Sequence, residues 1–389
     1  MKVAFISNYL SHHQIPFCKA MNNILGDDFC FISTMPMEQE RINLGWQSNA
    51  SYLFELKSYL TDSARKRAYE IANTYDVVII GSASDSFIVK RLKNHKLTLK
   101  YSERFYKKGL SYRNYLRAYI GSWLHHGRFQ KYPIYMLCAS AYTPYDCARF
   151  GNYENRLYKW GYFPEARKYD DIEALISKKE SMSLLWVGRM IDCKHPEAAV
   201  EIARKLKTDG YDFTLNMIGT GILENEIKTL IESYGLQKHV QMLGSMSPDS
   251  VRSYMERSEI FLFTSDFNEG WGAVLNEAMN SGCAVVASHA IGAVPYLIQD
   301  GKNGIIYENG NILDLYFKIK TILEYKSLVT LGINSYNTIL GLWNAECAAN
   351  RLINFTNELT VTRKCSKYDN GPLSIASILH NDWIYNRYM

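Results

Sequence analysis

The sequence predicts an α/β protein of two domains, each an open parallel sheet covered by helices on both faces. Three observations predict it. Short apolar runs alternate with longer helical patterns almost throughout the 389 residues. The alternation restarts from residue 183, and GYFPEARKYDD (161–171) lies between the two series. Strands buried on both faces read as continuous apolar runs, and parallel neighbours need a helical crossover between them.

In chain order, the first series of strands is KVAFIS (2–7), DFCFIS (28–33), DVVII (76–80), LTLKY (97–101) and IYMLCA (134–139). Helix-like segments at 13–25, 61–74 and 84–94 separate them. The second series is SLLWVG (183–188), FTLNMIG (213–219), HVQML (239–243), EIFLFTS (259–265) and CAVVAS (283–288). Two Rossmann-like domains are expected, 1–165 and 166–358, facing across a cleft, since open α/β sheets bind ligands beyond the carboxyl ends of their strands. After a helix at 344–358 the residues 359–369 are polar, and GPLSIASILHNDWIYNRY (371–388) resumes an amphipathic pattern. The tail 359–389 is expected to send residues 370–389 back onto the first domain; the alternative is a peripheral helix on the second.

A hydrophobic fraction of 47% and a charged fraction of 21% exclude wholesale disorder. A net charge of +5 is too weak to imply nucleic acid. The eight cysteines (18, 30, 138, 147, 193, 283, 347 and 365) form no C-x-x-C, which suits a reducing compartment better than a disulfide framework or a zinc site. MKVAFISNYL is too short and too polar after Ser7 for a signal peptide, and no apolar run approaches 18 residues. The expectation is a soluble cytoplasmic protein.

Chemistry concentrates in three loops of the second series. NEGWGAVLNE (268–277) follows the strand EIFLFTS and leads into a helix ending near Ser281-Gly282. Glu269 and Glu277 stand eight apart, an offset that Glu165/Glu173 and Glu224/Glu232 share among the 22 glutamates, so spacing alone decides nothing. Position says more. Gly270 and Gly272 let a backbone approach a ligand, and N–H groups at a helix start suit phosphate or sugar oxygens. A carboxylate is a natural partner for vicinal hydroxyls; the plainer reading is that Glu269 caps the helix and Glu277 solvates it. In VGRMIDCKHP (187–196), Arg189 and Lys194 flank a loop at a strand's carboxyl end, where two cations suit a diphosphate, or are simply solvated. In MIGTGILENEI (217–227), Gly219 and Gly221 open a helix, or make an ordinary tight turn.

With VGRMIDCK, MIGTG and FNEGWGAVLNEAMNSGCAVVASHAIGAVPYLIQDGKNGIIY, residues 183–310 resemble the donor-binding domain of the retaining glycosyltransferases of family four, whose two-domain architecture is called GT-B. LWNAECAANRL (342–352) resembles that family's closing helix. The first domain resembles it only in architecture. Carried over by position, the resemblance implies that Arg189 and Lys194 bind the donor's diphosphate and Glu277 the ribose hydroxyls. Glu269 would contact the transferred sugar, helped by backbone N–H groups of Gly270, Trp271, Gly272, Ala273 and Val274. The resemblance also implies a nucleotide-diphosphate sugar, UDP- or GDP-linked, as donor. No D-x-D triplet occurs, so no metal or other cofactor is expected.

The first domain departs from the family pattern. SNYLSHHQIPF (7–17) stands where many members carry a glycine pair, so His12 and His13 are candidates for the acceptor side, or caps of the first helix. Ser102-Glu103-Arg104 replaces the histidine expected after LTLKY. Glu103 is therefore the candidate polar group facing the reacting sugar and Arg104 a candidate anion contact; the alternative is an Arg–Glu surface pair. From 96 to 131 there are nine Lys/Arg against the single acid Glu103. Within 111–124, Tyr112, Tyr115, Leu116, Tyr119, Ile120 and Trp123 repeat at helical spacing, with Arg113 and Arg117 on another face, as in an interfacial helix. A core face is the plainer reading.

The sequence thus points to a retaining hexosyltransferase acting on a saccharide or lipid-linked saccharide acceptor in surface polysaccharide or glycolipid assembly. Peripheral contact with the inner membrane face, and no nucleic acid, are expected. The alternatives are a nucleotide-sugar epimerase or hydrolase on the same fold, and an inactive nucleotide-binding subunit.

Overall fold

A computed structural model describes residues 1–43, 51–107, 109–324, 327–362 and 368–385. The parts of the expected tail at 363–367 and 386–389 lie outside the described residues. The chain divides into two compact units, Met1–Glu165 with Asn344–Asn381, and Ala166–Trp343 with the chain end from Asp382 on.

The first unit carries seven strands: β1 (Val3–Ser7), β2 (Phe29–Ser33), β3 (Glu55–Lys57), β4 (Val77–Ile80), β5 (Thr98–Ser102), β6 (Ile134–Cys138) and β7 (Leu157–Lys159). Their order is β3-β2-β1-β4-β5-β6-β7, and every ladder is parallel. β1 is central, with Val3 opposite both Phe29 and Val77. All five residues of β1 are buried, as a strand with helices on both faces requires. β3 and β7 are three-residue edge strands, too short to show as apolar runs.

The second unit carries β8 (Glu180–Val187), β9 (Thr214–Ile218), β10 (Val240–Met242), β11 (Ser258–Phe263), β12 (Ala284–Ser288) and β13 (Ile305–Tyr307). They run β10-β9-β8-β11-β12-β13, again all parallel. Leu184 and Trp186 of β8, Ile260 and Leu262 of β11 and Val286 of β12 form one core with Ala199, Ile202 and Leu206 of the helix Pro196–Thr208. Burying each large apolar side chain contributes about 1.5–3 kcal/mol. Lys179 is buried, yet its ammonium donates to the carbonyls of Met255 (2.7 Å) and Ser258 (2.9 Å), so the charge is not left bare.

The helix Ala345–Thr362 lies in the first unit, not in the second where its place after the second series puts it. Phe355 explains the choice: it packs edge-on against Tyr158 at 4.6 Å and faces Tyr135, both of the first sheet. An amphipathic stripe does not state which sheet it will cover. Beyond it, Leu373–Ala376 lies along β7, with Lys159 N–H donating to Ser374 O (2.8 Å) and Ala376 N–H to Leu157 O (3.0 Å). Trp383 and Tyr385 instead meet the second unit, at His289 and Glu308. The seven cysteines among the described residues are all free. No helix among the described residues is long and apolar enough to cross a membrane.

Candidate functional site

In the second sheet the strand order reverses between β8 and β11. Beyond the carboxyl ends of two such strands their loops diverge to opposite sides and leave a crevice. Both expected cation and carboxylate loops stand here.

The loop after β8 is fixed by backbone bonds to the loop after β9. Gly188 N–H donates to Ile218 O (3.0 Å) and Met190 N–H to Thr220 O (2.8 Å). Gly219 (φ +129°) and Gly221 are needed for this approach: a Cβ on either would run into the Gly188 or Met190 carbonyl oxygen. Their requirement is thus the close packing of two loops, whatever else they contact. Arg189, between the two anchored residues, is exposed.

A turn of 3-10 helix, Asp192–Lys194, then brings Lys194 to the loop after β11. Its carbonyl accepts from Thr264 Oγ1 (2.6 Å), which itself accepts from Trp186 Nε1 (2.9 Å), so β8, β11 and the loop are tied together. Lys194 Nζ forms an ion pair with Glu269 Oε2, and Ser265 Oγ donates to the same oxygen at 3.1 Å. The Lys194 and Glu269 side chains are only 18% and 13% exposed, which keeps solvent screening low. Glu269 does not cap the following helix, Val274–Asn280, which begins after Ala273 with no side-chain cap. Glu277 is half-buried and is the fourth residue of that helix, so it sits in the first turn.

Gly272 has φ +86°, and a Cβ there would meet Phe263 Cζ at 2.5 Å. The Trp271 side chain points into the core, donating from Nε1 to Asn276 Oδ1 (2.9 Å) beside the Trp343 and Tyr296 rings. Only its backbone is left for a ligand. Gly270 and Ala273 are buried and Val274 half-buried.

The sequence reading missed His195 and Asp266. His195 takes a left-handed backbone conformation (φ 48°) ahead of Pro196, and its ring lies between Glu197 (2.7 Å) and Asp266 (3.6 Å). The hydrogen bond to Glu197 raises its pKa, against the cost of burial. The Cys193 carbonyl accepts from Asp266 N–H (3.0 Å), a second tie between the loops. The only sequence signal was the position of His195 between Lys194 and a helix-starting proline.

In the first unit, three expected residues gather around one that was not singled out. Glu103, just past β5, accepts from Tyr162 Oη (2.7 Å) and from Lys107 Nζ (2.7 Å). The Tyr162 ring lies parallel to that of His13 with centroids 6.1 Å apart, and His13 lies against His12 at 3.7 Å. Burial lowers the pKa of His12 to about 4 and holds that of His13 well below the ordinary imidazole value, so both rings are neutral at pH 7. Neither caps the first helix, whose N-cap is Gln14. Arg104 departs from expectation. Its side chain is 3% exposed, it faces Asp146 Oδ1 at 3.5 Å and donates to Asn381 Oδ1 (3.3 Å), so the anion it meets is the protein's own. The alternative Arg–Glu surface pair does not form either, since Glu103 takes Lys107.

Solved structures share this architecture. The chain superposes on Anabaena Alr3699/HepE in complex with UDP with a TM-score of 0.67 at 15% identity, covering 92% of this chain and 100% of that one. The lipopolysaccharide outer core galactosyltransferase WaaB, in its apo form, gives 0.65 at 17% identity over 93% and 100%. The fold is GT-B. Residues 168–336, which hold the β8 and β11 loops, match the family model described as Glycosyl transferases group 1. Curated relatives match part of the chain. A putative colanic acid biosynthesis glycosyltransferase of Salmonella typhimurium is 31% identical over 134 residues, 33% of each chain. A 4-alpha-N-acetylgalactosaminyltransferase of Campylobacter jejuni, named for a diphospho-undecaprenol acceptor, is 32% identical over 141 residues, 36% of this chain and 37% of that one. The match thus spans about a third of the length of these relatives.

Proposed function

We propose that the chain is a retaining glycosyltransferase that moves a hexosyl group from a UDP- or GDP-linked sugar to a saccharide or lipid-linked saccharide, in surface polysaccharide or glycolipid assembly. The observation that carries this reading is the junction of Lys194 and Glu269 at the β8/β11 strand-order reversal, inside the stretch that matches group 1 glycosyl transferases.

In this reading Arg189 and Lys194 take up the charge that grows on the diphosphate as the bond from the sugar's anomeric carbon to its oxygen breaks. Backbone N–H groups from Gly270 to Val274 assist, Glu269 orients the sugar hydroxyls, and Glu277 reads the ribose. The acceptor hydroxyl bonds to the anomeric carbon on the face the diphosphate leaves and passes its proton to the departing phosphate oxygen, so configuration is retained. Glu103, held by Tyr162 and Lys107, is the polar group for the reacting sugar, with His12 and His13 on the acceptor side. Chemistry of this kind is carried by fixed protein charges and requires no metal.

One helix supports a membrane surface as the setting of the acceptor side. In Tyr115–His125 only Ser122 is buried, while Leu116, Tyr119, Ile120, Trp123 and Leu124 are all 40% exposed or more. They stand at i, i+3, i+4, i+7 and i+8, the stripe a helix normally turns to a core. From Lys107 to Lys131 the sequence has six Lys/Arg and no acid. A cytoplasmic, anionic bilayer surface is the occupant whose charge and polarity match this face.

Thermal-shift titration with UDP, GDP and ADP, followed by sugars of the preferred nucleotide, tests the reading. Stabilisation by one nucleotide diphosphate and an anomerically retained product are expected. No stabilisation by any of the three would overturn it.

A further inference from the structure

A cavity of about 590 Å³ opens in the first unit where β4 ends, well within the range of small-molecule sites. Nothing described so far uses it. Its polar wall comes from four stretches: Ser84 and Asp85 after β4, Lys100 within β5, His125 at the end of the exposed apolar helix, and Arg128 in the 3-10 turn Gly127–Phe129 that follows it. Asp85 has both oxygens engaged, Oδ1 by Lys100 Nζ at 2.7 Å and Oδ2 by His125 Nδ1 at 2.9 Å. Lys100 also donates to the His125 carbonyl (2.7 Å), which uses two of the three N–H donors an ammonium carries. Arg128 is exposed over the Phe129 ring. The wall therefore offers donors and cations, and its one carboxylate acceptor is already engaged. A neutral sugar needs both donors and acceptors; an oxyanion needs only donors and positive charge.

We propose that this cavity binds a phosphate or diphosphate carried on a hydrocarbon chain. The charge of Arg128 and Lys100 meets the phosphoryl oxygens, and Trp123 and Leu124, one turn or less from His125, take the first carbons of the chain. The proposal rests on the acceptor side of the reading above, and the phosphate has two sources with the same chemistry: the linkage of a lipid-borne acceptor, or a bilayer headgroup.

Calorimetric titration with farnesyl diphosphate as the probe decides it. Binding to the full chain is expected, weakened at least tenfold in Arg128→Glu and also in Lys100→Gln, with circular dichroism showing both folded. Inorganic pyrophosphate is expected to bind at least tenfold more weakly than the prenyl compound. Unchanged farnesyl diphosphate binding in Arg128→Glu, whose side chain is exposed, would overturn the site. Equal affinity for pyrophosphate would overturn the hydrocarbon part. Displacement of the probe by phosphatidylglycerol vesicles but not phosphatidylcholine vesicles assigns the site to the bilayer. Failure of both to displace it assigns the site to the acceptor. UDP titrated into the same samples reads the second unit separately: if UDP does not bind while farnesyl diphosphate does, the glycosyltransferase reading fails and this site stands.

Discussion

The Lys194 ammonium and the Glu269 carboxylate are bonded across 75 positions of sequence, and the bond joins the loops that follow two neighbouring central strands. Each side chain is mostly buried, so each depends on the other for charge balance. Lys194→Met and Glu269→Gln should each destabilise the protein by about 1–3 kcal/mol, with the double variant less unstable than the sum. Turnover with donor and acceptor should fall about 100-fold in either single variant. Urea unfolding and steady-state assays on the four proteins measure both effects. Additive stability losses would mean that the pair is not coupled.

Gly272 offers a test that does not touch a charge. Its φ of +86° and the Phe263 ring, 2.5 Å from where a Cβ would stand, leave no room for a side chain. Gly272→Ala should cost about 1–3 kcal/mol and lower the melting temperature by several degrees. Gly301→Ala, at φ +78° with nothing within 4 Å of its Cβ, isolates the backbone strain alone and should cost less. Equal losses in the two variants would show that the Phe263 contact relaxes freely.

In the proposed reading Tyr162 acts through Glu103, as a positioning residue. Tyr162→Phe removes the 2.7 Å hydrogen bond to Glu103 Oε1 and keeps the ring beside His13. The expected result is a fall in kcat of about tenfold with the KM for donor unchanged, and Glu103→Gln should cost about 100-fold. Full activity of Glu103→Gln would remove this carboxylate from the chemistry.

His126 sets an acid limit on stability. Burial, with Lys100 nearby, lowers its pKa from 6.5 to about 3, and Nδ1 lies 3.0 Å from Tyr153 Oη. The unfolded chain binds a proton below about pH 6.5 that the folded chain refuses until about pH 3. Stability is therefore complete above pH 6.5 and is lost as pH falls through that window. His12, with a pKa near 4, adds in the same direction. Melting temperatures between pH 7 and pH 4.5 should fall steadily, and His126→Gln should flatten that slope. An unchanged slope would show that His126 is not a source of it.

Much of this arrangement is legible in the residues because it follows from strand ends. Arg189, Lys194 and Glu269 are charged side chains placed just past apolar runs, and parallel topology sends such positions to one edge of the sheet. What was not legible depends on tertiary choice. Tyr162, in a stretch rich in aromatics, reads as core until its hydroxyl is seen on Glu103. The identity of Arg104's partner, Asp146, is set by packing 42 residues away, and no local pattern reports it. β3, β7 and β13 are three-residue strands at sheet edges, held by ladder bonds to a longer neighbour rather than by their own pattern. His195 has a left-handed backbone and a ring near Asp266, a placement no local pattern reports.

The exposed stripe of Tyr115–His125 leads to the last prediction. Leu116, Ile120 and Trp123 in water cost free energy that burial in an interface would recover. Arg113 and Arg117 flank that stripe, and each basic residue near an anionic surface contributes about 1 kcal/mol. The wild type should co-sediment with phosphatidylglycerol vesicles and release as salt rises, because the charge contribution is screened. Arg113→Glu with Arg117→Glu should lower the partition at least about tenfold, and Trp123→Ser should lower it without changing the salt dependence. UDP binding, read in the second unit, should be the same in all three proteins. A wild type that never pellets with anionic vesicles would leave the stripe to a protein partner and remove the bilayer from this reading.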